Sequence, residues 1–145
     1  MTAFTVVKSW KLTFLLLTIT CSLSAQSFLA ELKLQQDPAK RSEMALAFAT
    51  ESFDTARTFY SKGDVRNGDA HLEDMTSALN SCVESLATVN KARLYKKAEL
   101  KVAYLQRRLG SLKQELGVQE RGWAEFTARK VEEIHDKMLA GVMRK

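Results

Sequence analysis

Between residues 46 and 142 apolar side chains recur at alternating steps of three and four, the spacing that lines them up on one face of an α-helix. Helix formers dominate the second half of the chain, and β-branched runs are confined to the first twenty positions. A sandwich, a barrel or a parallel α/β sheet is therefore not expected. The chain has 145 residues, of which 46% are hydrophobic and 27% charged, the balance of a folded chain and not of a disordered one.

The first 25 residues read as an export signal and are set apart from the fold. Lys8 and Lys11 form a positive flank, residues 12–19 are apolar, and residues 22–25 (Ser-Leu-Ser-Ala) offer a cleavage site of small side chains. A membrane-spanning helix needs about 20 apolar residues, which this segment does not supply. Cys21 raises lipid attachment as an alternative, but residues 18–20 (Thr-Ile-Thr) do not make a lipobox. Cleavage after Ala25 leaves Cys82 as the lone cysteine, so the mature chain cannot close a disulfide on itself and relies on packing.

Four helices are expected in residues 26–145, at about 38–62, 64–89, 92–116 and 119–143. Asp37-Pro38 is a start signal, with Asp as cap and Pro at the first helical position, and Gly63 is a stop. Leu46, Ala49, Phe53, Ala56 and Tyr60 form the first buried stripe. The second runs from Val65 and Gly68 through Leu72, Met75, Leu79, Cys82 and Leu86 to Val89, behind an Asp64 cap. After Val89 the phase changes. Tyr95, Ala98, Val102, Leu105, Leu109, Leu112 and Leu116 share a new face, which implies either a turn near Asn90, the favoured reading, or one long helix whose buried face rotates. Trp123, Thr127, Val131, Ile134, Met138 and Val142 are expected inward on the last helix. Short connections between helices of similar length predict an antiparallel up-down-up-down four-helix bundle.

Phe59, Gly63-Asp64 and Leu72 resemble the helix-turn-helix centre of a tetratricopeptide unit. Such a unit is about 34 residues long, whereas the second helix here runs past that length and no second copy follows. The pattern reads as a generic helical hairpin.

The sequence offers little enzymatic chemistry. His71 and His135 lie in no hydrolase, phosphoryl-transfer or zinc motif, there is no glycine-rich phosphate loop, and Cys82 sits on a core stripe without a base nearby. A di-iron bundle needs two Glu-x-x-His units, and only the one from Glu132 to His135 is present. Covalent haem would need Cys-x-x-Cys-His. Non-covalent haem ligated by Met44 and His135, in a periplasmic haem or metal-binding bundle, is the alternative from another class. No metal site or cofactor is otherwise expected.

Charge is the most uneven feature. Residues 91–113 carry eight bases against Glu99 alone, whereas residues 64–89 carry five acids against Arg66. One account has the two helices side by side with their charges paired, including Glu73 and Glu84 as partners. The other makes Lys96, Lys97, Lys101, Arg107 and Arg108 a face for an anionic envelope component or an acidic protein. Nucleic acid is not expected, because the chain is read as exported and no exposed aromatics are expected among these bases. The sequence thus points to an exported, periplasmic or extracellular, non-enzymatic helical bundle with a binding or structural role, without a transmembrane segment in the mature chain. A chaperone-like protein is a further alternative, requiring an exposed apolar patch.

Overall fold

The computed structural model describes residues 20–144, with side chains from Gln26 onward. Within them the protein is all-helical: α1 (Thr20–Leu34), α2 (Pro38–Ser61), α3 (Val65–Val89), α4 (Ala92–Glu115) and α5 (Gly122–Met143), with no strand. The apolar segment at residues 12–19, read from the sequence as part of an export signal, and the side chain of Cys21 lie outside the described residues.

The helix starts follow from capping chemistry. The Asp37 side chain accepts a hydrogen bond from the Ala39 amide at 2.9 Å ahead of Pro38, which has no N–H to leave unsatisfied. Asp64 accepts from the Asn67 amide at 3.2 Å and from the Asn67 side chain at 2.6 Å. Between α2 and α3 the chain reverses through Gly63, whose φ of 76° is costly for any residue with a Cβ. Asn90 closes α3 in the left-handed region, at φ 50° and ψ 42°, so α3 and α4 are separate helices.

One continuous buried cluster draws on all five helices. The expected stripes of α2 and α4 are buried throughout, from Leu46 to Tyr60 and from Tyr95 to Leu116. Two glycines permit close helix approach: a Cβ on Gly68 would stand 2.9 Å from the Tyr60 ring, and one on Gly141 would collide with Tyr95. That contact explains why a glycine, ordinarily a poor helix residue by about 1 kcal/mol, sits inside α3.

Three features depart from the sequence reading. First, α1 is an additional helix, and it joins the core through Leu32, which is 1% exposed, while Phe28 stacks on Phe48 at 4.3 Å. Arg41 ties this corner together, donating to the Gln35 carbonyl at 3.1 Å and to the Ser85 hydroxyl at 2.9 Å. Second, α5 starts at Gly122 and not at 119, and Ala124 takes the inward position expected for Trp123, which remains 38% exposed. A step of three from Ala124 reaches Thr127 as readily as a step of four from Trp123, and the small side chain fits the close helix approach.

Third, the expected ring of antiparallel neighbours is not what packs. α2 with α3 and α4 with α5 form antiparallel hairpins, but the hairpins lie side by side with α2 against α4 and α3 against α5. The ion pairs Glu43–Lys97, Asp54–Arg108 and Arg57–Glu115 advance together along both helices, so α2 and α4 run parallel. α3 and α4, consecutive in the chain, occupy opposite corners and barely touch. The acids that receive the α4 bases are on α2, and residues 90–91 carry the chain across the diagonal.

Candidate functional site

Because α4 packs on α2 along one flank and on α5 along the other, its outward surface is a stripe between them. At about 100° per residue, Arg93, Lys96, Lys97, Leu100, Tyr104 and Arg107 fall within roughly 100° of arc on that surface. Leu100 is 60% exposed and Tyr104 45%, at one turn's spacing, and the four bases are exposed around them. The stripe carries no acid. Glu99, the one acid among residues 91–113, is turned toward α5, where it lies 2.9 Å from His135 Nε2 and both side chains are less than 20% exposed.

The five residues singled out from the sequence therefore divide. Lys97 donates to Glu43 at 2.6 Å and Arg108 to Asp54 at 2.7 Å, so the α2 flank neutralises these two. The Arg108 guanidinium also lies over the Phe53 ring at 4.6 Å and near Tyr104 at 5.5 Å, a seat that restricts it. Lys96 and Arg107 stand in the outward stripe and, like Lys101, have no acidic partner among the described residues. Lys101 borders an open surface groove of about 610 Å³ on α2, lined by Thr50, Asp54 and Thr58 among others. The acids of α3 are not the partners of this helix. Asp69 accepts the Tyr60 hydroxyl, Asp64 caps α3, and Asp74 pairs with His71 at 3.4 Å. Tyr104 also corrects the expectation that no exposed aromatic accompanies the bases.

The residues weighed for haem ligation are engaged separately. Met44 Sδ receives the Gln35 amide at 4.0 Å beside α1, on α2, while His135 is held by Glu99 on α5, the helix diagonal to α2. Among the described residues no group of three or more His, Cys, Asp or Glu side chains gathers where a metal ion could be held. No helix among them is long and apolar enough to cross a membrane.

A second surface feature was not expected. Trp123 and Phe126 are both exposed, with ring centroids 5.2 Å apart, and Trp123 borders a groove of about 530 Å³ formed by Val65, Asp69, Ala70 and Glu73 of α3. The sequence hides it because the same spacing that marks a core stripe includes Trp123.

Burial governs the titration of the interior. With no exposed surface, the Cys82 thiol is pushed up to about 12 by desolvation, so thiolate chemistry is suppressed at neutral pH. Burial also raises Tyr60, and its hydrogen bond to Asp69 adds to the effect. Asp74 is raised by burial, against the lowering effect of His71. For Cys82 and Tyr60 the folded state holds its proton to higher pH than the unfolded chain, so their contribution is complete below the unfolded pKa values, 9.0 and 10.0, and is lost as pH rises above them. Urea denaturation is expected to show stability falling above about pH 9, by up to about 1.4 kcal/mol per pH unit for each ionising group. Cys82→Ala should flatten the first part of that decline and Tyr60→Phe the later part. A profile unchanged by both substitutions would contradict the burial of these groups.

Neither the family models, the curated proteins nor the solved structures compared with this chain give a match.

Proposed function

We propose that this protein is an exported, non-enzymatic helical protein whose role in the cell envelope is binding or structural, with α2–α5 as a four-helix bundle on which the rest of α1 stays packed after removal of residues 1–25. It acts through the outward surface of α4 on an anionic partner. The carrying observation is that the stripe from Arg93 to Arg107 contains bases and two exposed apolar residues but no acid, while the nearby Glu99 is held on the opposite flank. A positive surface of this kind favours encounter with anions and loses that advantage as salt screens it.

Cleavage after Ala25 is compatible with the packing. Phe28, Leu29 and Leu32, which bind α1 to the rest of the protein, all lie beyond the proposed cut. A non-enzymatic role is supported by the inaccessible Cys82 thiol.

N-terminal sequencing of the exported product is expected to begin at Gln26 or within a residue or two. At low salt the protein should be retained on heparin and released as ionic strength rises. Changing Lys96, Lys97, Arg107 and Arg108 together to Gln should abolish retention while sparing helix content, because the two ion pairs removed are at the surface and each contributes less than about 1 kcal/mol. An intact residue 1 in a membrane fraction would overturn the export reading, and retention equal in both proteins would remove α4 as the binding surface.

A further inference from the structure

Resting on the reading of α4 as an anion-binding surface, we propose that its partner is the headgroup plane of an anionic lipid bilayer, on which α4 lies flat with Leu100 directed into the acyl boundary. The stripe has the layout that interfacial recognition requires. Leu100 stands near its centre, 60% exposed, Tyr104 follows one turn later, and Arg93, Lys96 and Arg107 flank them. From Arg93 to Arg107 the bases are spread over about 21 Å at 1.5 Å per residue, so they meet several headgroups rather than one compact anion. The surface is convex, a single helix standing between its two neighbours, and the groove at Lys101 opens on the α2 side of it. A helical or extended acidic peptide would need a trough along α4, whereas a plane of phosphates needs a ridge. Tyrosine suits the boundary between headgroups and chains, with an apolar ring and a polar tip, and the long stems of Arg and Lys let their charges reach phosphate while the leucine inserts.

The neighbouring ion pairs sharpen the assignment. Lys97 and Arg108 are drawn toward α2 by Glu43 and Asp54, so the charge available to lipid comes from Arg93, Lys96 and Arg107, with Lys101 at the edge. Of the five bases singled out from the sequence, Lys96, Lys101 and Arg107 thus remain available, and Arg93 joins them.

The test uses the whole chain with phosphatidylglycerol–phosphatidylcholine vesicles and with pure phosphatidylcholine vesicles, in sedimentation at low and physiological salt. Binding to the neutral vesicles reports the apolar contribution of the N-terminal segment; because Lys8 and Lys11 of that segment also favour anionic lipid, the α4 contribution is the part of the anionic excess that is lost when the α4 bases are replaced. That excess is expected to fall with salt and to drop about a hundredfold in Arg93→Gln/Lys96→Gln/Arg107→Gln, since each base near an anionic surface contributes roughly a factor of five. Leu100→Ser should weaken it several-fold. In Leu100→Trp the added tryptophan emission should shift to the blue on anionic vesicles and stay unshifted on heparin. Heparin binding without an anionic-vesicle excess would overturn the lipid proposal and leave the anion-binding surface standing. Absence of both would overturn the two together, and an excess untouched by the triple variant would place the lipid contact elsewhere.

Discussion

Leu79→Asp and Leu105→Asp are each expected to leave the chain without a cooperative folding transition at neutral pH. Both leucines are 0% exposed, one in α3 and the other in α4, so a carboxylate at either position has neither water nor a basic partner. It must stay charged in an apolar interior or take up a proton, and either outcome costs several kcal/mol beyond the ~2 to 5 kcal/mol lost with the leucine contacts. Against a total margin of ~5 to 15 kcal/mol that is sufficient to unfold the protein. The contrast is with the surface. Glu73→Ala should change stability by less than about 0.5 kcal/mol, and Lys97→Ala, which removes the pair with Glu43, by less than about 1 kcal/mol because both partners are more than half exposed. Circular dichroism with urea titration reads all four. A molten Glu73→Ala beside a folded Leu79→Asp would mean that the helix faces are misassigned.

The second large effect is expected at Phe53. Its ring is 0% exposed at the junction of α2 with α4, and it carries the Arg108 guanidinium over its face, 4.6 Å from the ring centroid. Phe53→Ala should cost ~3 to 5 kcal/mol, the range for deleting a buried aromatic side chain. It should also free Arg108 from its seat beside Asp54. Tyr104→Ala, which removes the more exposed of the two rings near Arg108, should cost far less. Urea midpoints for the two variants separate the packing role of Phe53 from the electrostatic one, and a loss below about 1 kcal/mol in Phe53→Ala would mean that the α2–α4 seam does not carry the core.

Much of this structure is legible in spacing. The seven apolar positions from Tyr95 to Leu116 are buried as their steps of three and four require, and Asp37 and Asp64 cap as their chemistry suggests. What spacing cannot say is which helix a buried face meets. Periodicity gives the direction of a stripe around one axis, while the choice between α2 and α3 as the neighbour of α4 depends on flanking side chains such as Glu43 and Asp54, more than fifty residues away. Spacing favours Trp123 as the inward residue because alanine gives a weak apolar signal, and Ala124, which is the one buried, is outweighed by its larger neighbour. α1 is not legible for a related reason: its anchors Phe28, Leu29 and Leu32 occupy a short segment adjoining residues 1–25, too brief to establish a period. For the candidate site, the surplus of bases on α4 was readable by counting. The removal of Lys97 and Arg108 into ion pairs, and the exposure of Leu100 and Tyr104 between the remaining bases, required the packing to be known.

The crossing at residues 90–91 also bears on the order in which the molecule assembles. Each antiparallel hairpin closes through a connection of a few residues, at 62–64 and at 116–121, so its contacts are near in sequence and cheap in loop entropy. The seam between hairpins joins residues such as Glu43 with Lys97 and Asp54 with Arg108, and forming it requires a much larger loop to close. Chains dominated by nearby contacts fold fast, and the slowest productive event is the one that brings distant segments together. Here the docking of one hairpin on the other is the expected late event, so substitutions along the α2–α4 seam are expected to act chiefly on the unfolding rate and those inside a hairpin on the folding rate, which chevron plots of Arg108→Gln and Leu79→Ala would check.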